Sequence, residues 1–393
     1  MLDFKIKELP NIKFSHTALL NYYNEVVQNY QHLKWTPAGV DTLNHKVGGV
    51  YSWAIQSNLK DPSKPCPPYD IKNDADIHPN NDFKVPTELI FGFGKIVVEA
   101  FPEVRQTVIS AHPPGTVIGE HIDNDEFVKI HIPIKANNNS FFVFGDEKYN
   151  LEEGKAYLIN TTLPHGTTNE GDTDRIHLIF KFPIELVDTV LSTDWILDPS
   201  FIDFDLLEIK NLEFDFNELV DYYNTIKQDY QYLKWTMPDI PKTNLGGLYG
   251  FGILTNKDNP DDPTDPPGIR TDKKKFEPLI KPTKMLIGFA KKIYEKIPYL
   301  EELVITGHPA NSGIPPHIDK DEHIRIHLPI FANDRSYFMI NGNEYVLEPT
   351  KVYLVNTKRI HTTINSGNED RIHLHFKIPI GKIDYFLKTG VKL

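Results

Sequence analysis

The sequence is poor in cysteine and contains no long apolar run. Cys66 is its only cysteine, so no intrachain disulfide can form. The lack of disulfides favours a reducing compartment, and we expect a cytoplasmic protein. No stretch reaches the roughly 18 apolar residues of a transmembrane helix. The start, MLDFKIKELPNIKF, also lacks the layout of a secretory signal, so we expect no membrane association.

Positive charge is scarce as well. The chain has 42 Lys and Arg against 54 Asp and Glu, a net charge of −12, and no basic stripe with interleaved aromatic residues. Such a protein repels a phosphate backbone, so we expect no nucleic-acid partner. An acidic protein can still bind a basic peptide or a small amino acid, and net charge leaves these substrate classes open.

The sequence does contain one pattern of polar and apolar residues twice. The string HIDNDEFVKIHIPI at 121–134 returns as HIDKDEHIRIHLPI at 317–330. When 121–180 is set against 317–376 without a gap, 31 of the 60 positions are identical. This similarity indicates an internal duplication in which no insertion has changed the spacing of the polar residues.

The duplication extends toward the N-terminus, because NYYNEVVQNYQHLKW at 21–35 matches DYYNTIKQDYQYLKW at 221–235. Each copy is much longer than a solenoid repeat and large enough for a core of its own. We therefore predict two homologous domains, 1–195 and 205–393, joined within 191–205. Their apolar join favours packed domains, and the duplicated chain could act as a pseudo-dimer, although the oligomeric state stays open.

Helical and loop patterns dominate the first part of each copy. Apolar residues recur at three- and four-residue spacing between positions 19 and 30, which predicts a helix. A second helix is predicted at 88–101 and its counterpart at 284–297. Between the two helices, the Pro- and Asp-rich stretches 61–82 and 257–275 are typical of surface loops, either a substrate-facing lid or a solvated connector.

Short strands follow from about residue 104, and again from 301. They are β-branched or aromatic runs separated by Gly, Asn and Asp. In the first copy these runs are 104–112, 129–136, 140–145, 148–151, 155–160 and 175–182. In the second copy, Asn341-Gly342 predicts a tight hairpin. The pattern favours an α+β, mainly β fold, in which helices pack on a sandwich or barrel-like roll.

The candidate chemistry lies on these strands. In His121-Ile122-Asp123 the two polar side chains are two residues apart, so on an extended segment both face the same side. A roll can bring His165 back beside them. Two histidines and one carboxylate on one face of a metal leave three positions open, as in non-haem Fe(II) oxygenases. Arg175, ten residues later, could hold a dicarboxylate through two parallel hydrogen bonds. The second copy repeats the set as His317, Asp319, His361 and Arg371.

These residues resemble the Fe(II)/2-oxoglutarate-dependent dioxygenases, and most closely the aspartyl/asparaginyl β-hydroxylase branch. The resemblance rests on PPHIDKDEHIRIHLPI, on KVYLVNTKRIHTTINSGNEDRIHLHF and on their counterparts, about 60 residues per copy. It implies a double-stranded β-helix, a jelly-roll or cupin-like fold, in each half. It also implies Fe(II) on the two histidines and the aspartate, and 2-oxoglutarate on Arg175 or Arg371, with His131 or His327 near its other carboxylate.

The activity implied by the resemblance is hydroxylation of an amino acid, free or within a peptide or protein. 2-Oxoglutarate and O₂ are the cosubstrates, and succinate and CO₂ are the co-products. Arg325 matches the family where the first copy has Lys129, so we expect the second half to be the more active. Arg325, His177 and His373 are further candidates for substrate contact, and the two histidines could equally be hydrogen-bonded core residues.

Two alternatives stay open. Asp125 and Asp321 are second candidates for the carboxylate ligand, although four residues after the histidine they are more typical of surface or supporting positions. The chain could also be a metal-binding β-roll scaffold in which one or both halves lack turnover.

Overall fold

The chain divides into two compact units, Met1–Phe201 and Ile202–Leu393. The computed structural model describes residues 2–30, 32–34, 50–57, 83–101, 103–123, 126–230, 233–234, 248–256 and 279–393. The loops predicted at 61–82 and 257–275, and the candidate ligand Asp125, lie outside these ranges. None of the helices in the described ranges has the length and apolar character that a membrane crossing requires.

The first unit alternates helices and short strands. Its helices are α1 (His16–Asn29), α2 (Gly92–Ala100) and α3 (Val187–Ser192). Its strands are β1 (Ile6–Glu8), β2 (Ile12–Lys13), β3 (Leu33–Lys34), β4 (Tyr51–Ala54), β5 (Gln56–Ser57), β6 (Val85–Pro86), β7 (Arg105–His112), β8 (Val117–His121), β9 (Phe127–Lys135), β10 (Ser140–Phe144), β11 (Glu147–Tyr149), β12 (Tyr157–Ile159), β13 (His165–Asn169), β14 (Arg175–Pro183) and β15 (Trp195–Ile196).

Two antiparallel sheets organise these strands. A seven-stranded sheet has the order β1-β12-β9-β14-β7-β4-β3, and a four-stranded sheet has the order β11-β10-β13-β8. From β7 to β14, the first, third, sixth and eighth strands enter the large sheet, and the other four form the small one. This crossing back and forth brings residues distant in sequence together between the sheets, because the chain changes layer after every strand of this series except β10, which forms a hairpin with β11.

The core between the sheets is aromatic and aliphatic. Phe142 and Phe144 of β10 meet Tyr157 and Ile159 of β12 in one buried cluster. Alternate residues of a strand face opposite sides, so the even-numbered phenylalanines of β10 line the interior. Burial of such side chains, at about 25 cal/mol per Å² of apolar surface, is what holds the two layers together.

The predicted first helix is confirmed, with Ser15 as its N-cap. The Ser15 hydroxyl accepts a hydrogen bond from the Ala18 N–H and so satisfies a free donor of the first turn. The buried face of α1 consists of Leu19, Tyr22, Tyr23 and Val26. The second helix begins at Gly92 and not at residue 88 as predicted, because Thr87–Phe91 turns and presents its Leu89 carbonyl to the Tyr22 hydroxyl.

The second unit repeats this architecture. Its helices are α4 (Phe216–Asp229), α5 (Gly288–Lys296) and α6 (Ile383–Thr389). Its strands are β16 (Leu206–Glu208), β17 (Leu212–Glu213), β18 (Leu233–Lys234), β19 (Tyr249–Gly252), β20 (Leu254–Thr255), β21 (Lys281–Pro282), β22 (Glu301–His308), β23 (Ser312–His317), β24 (His323–Phe331), β25 (Ser336–Ile340), β26 (Asn343–Tyr345), β27 (Tyr353–Val355), β28 (His361–Asn365), β29 (Arg371–Pro379) and β30 (Val391–Lys392).

The sheets of the second unit have the same order as those of the first, β16-β27-β24-β29-β22-β19-β18 and β23-β28-β25-β26. The predicted hairpin is confirmed, since Ile340 pairs with Asn343 and the two residues between them have positive φ. Both Asn341 and Gly342 tolerate that backbone region. The sequence-based prediction missed β4 and β19, four-residue strands beside the long loops, which join the large sheets through β7 and β22.

Candidate functional site

The predicted histidine pair of the first unit meets across the small sheet. His121 ends β8 and His165 begins β13, and the two residues are direct partners in the antiparallel register. Their ring centroids are 4.4 Å apart. The register therefore explains how two histidines 44 positions apart in the printed sequence come to share one face of the roll.

Each ring is held in the same way by a backbone carbonyl two residues before it. His121 Nδ1 lies 2.9 Å from Gly119 O, and His165 Nδ1 lies 2.9 Å from Leu163 O. A carbonyl only accepts hydrogen bonds, so each neutral ring carries its proton on Nδ1. Each Nε2 therefore keeps a lone pair directed toward the other histidine, and this is the tautomer that a metal ligand needs.

Asp123 completes the group. Its Oδ1 lies 3.9 Å from His121 Nε2 and its Oδ2 lies 3.9 Å from His165 Nε2. The Asp123 N–H donates to Thr161 O at 3.0 Å, which fixes the residue just beyond the end of β8. Three donor atoms within 4.8 Å of one another could hold one ion.

The second unit assembles the same group from its own strands. His317 pairs with His361 across β23 and β28, with ring centroids 4.2 Å apart. Asp319 Oδ1 lies 3.7 Å from His317 Nε2. The histidine Nδ1 atoms again face carbonyls, those of Pro315 and Arg359, at 2.8 and 3.0 Å. The duplication has therefore kept the geometry as well as the residue types.

The charge states of these groups also suit a cation. Burial lowers the pKa of His165 to about 4 and lowers the pKa of His361, so both rings are neutral at neutral pH. Burial by itself raises the pKa of the two carboxyls, but neighbouring cations reverse this and bring the pKa of Asp123 and of Asp319 to about 2. Each group thus offers at least one neutral imidazole, that of His165 or His361, and one carboxylate.

Deeper in each half lies a buried arginine without a carboxylate partner among the described residues. Arg175 is 3% exposed and Arg371 is 2% exposed, and the Nε and Nη1 atoms of both have no hydrogen-bond partner in the part of the chain that the structure describes. Burial lowers the pKa of each to about 9, so each is still a cation at neutral pH. A buried cation with free donors is costly unless an anion joins it, and a carboxylate matches its planar fork.

A pair of buried histidines stands beside each arginine. His131 Nδ1 lies 3.3 Å from His177 Nδ1, and His327 Nδ1 lies 3.4 Å from His373 Nδ1. Burial lowers the pKa of all four well below the ordinary value, so the rings are neutral. In such a contact one Nδ1 donates and the other accepts. The two Nε2 atoms have no partner within the described ranges, and they therefore present one donor and one acceptor.

In the first unit, the three candidate metal ligands and the buried arginine lie beside neighbouring aromatic side chains of β10. The Phe144 ring lies 5.9 Å from that of His165, and the Phe142 ring lies 4.9 Å from that of His131. Arg175 stands over the Phe142 ring at 5.2 Å. Because Phe142 and Phe144 are neighbours on the same face of β10, the two sets of polar groups contact one continuous row of aromatic side chains.

The surroundings of the two aspartates differ. In the first unit, Lys129 Nζ lies 2.5 Å from Asp123 Oδ2. In the second, Arg325 Nε donates to Asp319 Oδ2 at 2.9 Å. Arg325, predicted as a substrate contact, therefore has its guanidinium engaged within the protein.

The alternative carboxylate of the second unit is engaged elsewhere. Asp321 accepts hydrogen bonds from Lys358 at 2.8 Å and from Lys377 at 2.7 Å. It is not part of the three-residue group formed by His317, Asp319 and His361. Of the two aspartates near His317, the structure thus brings Asp319 to the histidines.

Three contacts of the site were not assigned from sequence. Arg175 Nη2 lies 3.1 Å from His112 Nδ1, and Arg325 is bound both to Glu302 and, at 3.3 Å, to His375 Nδ1. The alternation Arg371-x-His373-x-His375 could have indicated His375, since residues two apart on a strand share a face. Glu302 gave no such signal, because it lies on β22, which is separated from the strand of Arg325 by β29, and no local pattern indicates that order.

Searches against known proteins give low structural similarity. AerE from Microcystis aeruginosa is 14% identical over 69% of this chain and 86% of that chain, with a TM-score of 0.20. An oxidoreductase of the 2OG-Fe(II) oxygenase family from Burkholderia pseudomallei is 10% identical over 46% and 85%, with a TM-score of 0.32. TM-scores this low define no common fold. No curated protein matches the chain.

The sequence itself matches one family. The model of the aspartyl/asparaginyl β-hydroxylase family matches residues 79–183 and, separately, 290–379. These two segments contain the two three-residue groups and the two buried arginines described above. The chain therefore belongs to the aspartyl/asparaginyl β-hydroxylase family of 2-oxoglutarate-dependent hydroxylases, whose sequence it carries in two tandem segments.

Proposed function

We propose that the chain is a tandem Fe(II)- and 2-oxoglutarate-dependent dioxygenase that hydroxylates an amino acid, free or as a residue of a peptide or protein. Each half, 1–195 and 205–393, is one double-stranded β-helix domain with its own site, and the second half is the more active. The observation that carries the proposal is the pairing, twice, of a two-histidine, one-carboxylate group with a buried arginine that has no anionic partner among the described residues.

The strand order supports the proposed fold. Eight consecutive strands, β7 to β14 and again β22 to β29, divide between two facing antiparallel sheets. A jelly roll is an eight-stranded arrangement of this kind. In both halves the histidines lie on the small sheet and the arginine on the large one, so a ligand between the layers would touch both.

The donor set fits Fe(II). Two imidazoles and one carboxylate on a single face are the ligands of the non-haem iron oxygenases, and they leave positions open for other molecules. His317, Asp319 and His361 would hold the ion in the second half, and His121, Asp123 and His165 in the first. The backbone carbonyls that face each Nδ1 would fix the rings in orientation, as is usual behind metal-bound histidines.

The deeper groups fit a dicarboxylate. Arg371 or Arg175 would bind the distal carboxylate of 2-oxoglutarate through its partnerless Nε and Nη1 atoms. His327 or His131 would meet the other end of the molecule, with His373 or His177 fixing the tautomer of its partner. Neutral histidines suit this role, because their burial beside a cation would make a second positive charge expensive.

When bound, the iron and 2-oxoglutarate supply the oxidising chemistry, in which one oxygen of O₂ enters the substrate and the other enters succinate, with release of CO₂. The residues of the chain bind and orient the reactants. Arg325 holds the Asp319 carboxylate in one direction, and the Phe338 ring, 4.9 Å from the Arg371 guanidinium, supports that cation from one face. Such fixed orientation is the contribution that a protein makes to a cofactor reaction.

The candidate metal-binding end of each site lies near the surface, where a substrate could approach it. The His317 side chain is 39% exposed, and Ile318 between the two candidate ligands is 51% exposed. In the first half, Ile122 is 58% exposed. The reacting position is therefore at the surface, which suits an amino-acid side chain presented by a peptide or protein as well as a free amino acid.

Succinate formation tests this proposal. Wild-type protein with Fe(II), 2-oxoglutarate and O₂ is expected to convert 2-oxoglutarate to succinate, at a higher rate when a substrate peptide is present. The double variant His121→Ala, His317→Ala is the matched control and is expected to be inactive. Equal succinate formation by the wild type and the double variant would contradict the proposal.

A further inference from the structure

His375 lies between the two candidate binding positions of the second half. It follows Arg371 and His373 at alternate positions of β29, so all three face one side of the strand. The His375 ring stacks on the His327 ring, with centroids 4.9 Å apart and an interplanar angle of 27°. On its other side, His375 Nδ1 lies 3.3 Å from Arg325 Nη1.

The hydrogen bond with Arg325 fixes the state of the His375 ring. Arginine has donors only, so His375 Nδ1 must accept, and its proton is on Nε2. Burial lowers the pKa of His375 well below the ordinary value and keeps the ring neutral. One tautomer and one orientation are therefore imposed on a ring whose face rests on His327.

Arg325 connects His375 to the candidate metal ligand Asp319. Its Nε donates to Asp319 Oδ2, while Nη1 donates to Glu302, which also forms an ion pair with Lys377. The guanidinium is planar and rigid, so it cannot turn toward one partner without disturbing the others. The positions of Asp319 and of His375 are therefore linked through one side chain.

The corresponding positions of the first half do not form this connection. Lys129 replaces Arg325 and Ile179 replaces His375, as the constant spacing of the two copies shows. Lys129 reaches Asp123 with a single ammonium group, and an isoleucine side chain accepts no hydrogen bond. Nevertheless, His131 and His177 pair as His327 and His373 do, so the two halves differ in the link and not in the histidine pair.

We propose that His375 is a positioning residue which, through Arg325, makes metal binding and 2-oxoglutarate binding depend on each other in the second half but much less in the first. The inference rests on the proposed function. A metal that fixes Asp319 also fixes Arg325, His375 and then His327, and so raises the affinity for 2-oxoglutarate. Because coupling between two sites is symmetrical, 2-oxoglutarate must raise the affinity for the metal by the same factor.

The test measures binding and not turnover, in the full chain and without oxygen. His121→Ala leaves the second site intact, and His317→Ala leaves the first. For each variant, calorimetric titration gives the dissociation constant of Co(II), a redox-stable probe, with and without saturating 2-oxoglutarate. The ratio of the two constants is the coupling. His375→Ile and Arg325→Lys, each added to His121→Ala, then introduce the residues that the first half already has.

Because 2-oxoglutarate can bind the metal directly in either half, we expect it to tighten Co(II) binding in both, but about tenfold more in the second half than in the first. His375→Ile and Arg325→Lys should each reduce the second-half ratio to the first-half value while both ligands still bind. Thermal unfolding checks that each variant is folded. If His375→Ile does not fold, the coupling measured in Arg325→Lys tests the proposal.

Two results would overturn the inference while leaving the proposed function standing: equal coupling in the two halves, or a second-half ratio that neither substitution changes. Absence of both Co(II) and 2-oxoglutarate binding from His121→Ala and from His317→Ala would instead remove the proposed function, and the inference with it.

Discussion

The second unit surrounds Asp319 with a network of alternating charges, whereas the first unit places Lys129 and Lys181 beside Asp123. In the second unit Arg325 and Lys377 both bind Glu302. In the first, burial lowers the pKa of Lys181 to about 8, and Lys129 is a further cause of that lowering. Both units kept the donor atoms. Divergence after the duplication therefore changed the side chains that bind the carboxylate and left the carboxylate itself in place.

This difference separates two properties of a site. The residue types and the strand register determine whether a cation can be held, and the two halves agree in both. The side chains behind the ligand determine how firmly it is oriented, and there the halves differ. Supporting residues of this kind affect metal affinity or activity by about 10- to 100-fold, which is enough to make one half dominant.

The largest expected effect is the loss of one site. His317→Ala should remove the turnover of the second half, and therefore more succinate formation than His121→Ala removes. Each substitution deletes one of three candidate ligands, but His317→Ala does so in the second half, which we expect to be the more active, and His121→Ala does so in the first. Steady-state succinate assays of the two single variants check this, and equal residual activity would mean that the halves contribute alike.

Loss of the buried arginine should affect the cosubstrate selectively. Arg371→Ala removes charged hydrogen bonds worth about 1.5–3 kcal/mol, so the 2-oxoglutarate concentration for half-maximal activity of the second half should rise about 10- to 100-fold. Metal binding should be largely intact. Measurements in the His121→Ala chain isolate this half, and the exposed Arg335→Ala is the control. An unchanged requirement for 2-oxoglutarate would show that Arg371 does not bind it.

The charge network should also stabilise the second unit. Glu302→Gln introduces the residue found at the corresponding position 106 of the first unit, and it leaves Arg325 and Lys377 with less compensation. Because the Glu302 side chain is only 19% exposed, the free energy of unfolding should fall by about 3 kcal/mol. The control is Glu348→Gln in the exposed pair with Lys351, which is expected to have a much smaller effect because solvent screens the pair. Denaturant unfolding measures both, and equal effects would argue against the network.

The smallest effect should come from exchanging the two cations. Lys129→Arg gives the first half the planar fork of the second, and a modest gain of first-half activity is expected in the His317→Ala chain. The gain is limited because Ile179 still offers no acceptor behind the arginine. A gain that brings the first half level with the second would show that the cation alone, without His375, accounts for the difference.

Local patterns in the sequence predicted much of this structure. The Asn341-Gly342 hairpin follows from backbone preferences of two residues, and the first helix follows from the three- and four-residue spacing of Leu19, Tyr23 and Val26. The grouping of His121, Asp123 and His165 could be predicted because the copies repeat it at one spacing. The network around Arg325 could not, because Glu302 and His375 reach it from separate strands through a register that no local pattern encodes.

The most direct test of the account is an anaerobic titration of the apoprotein with Fe(II) in the presence of 2-oxoglutarate. The charge-transfer absorption of the chelated iron counts the complete sites, since it requires both partners in one pocket. The account predicts two equivalents per chain, both lost in the His121→Ala, His317→Ala double variant. A single equivalent would contradict a competent first half, and no absorption at all would contradict the assignment of an iron and 2-oxoglutarate site to this chain.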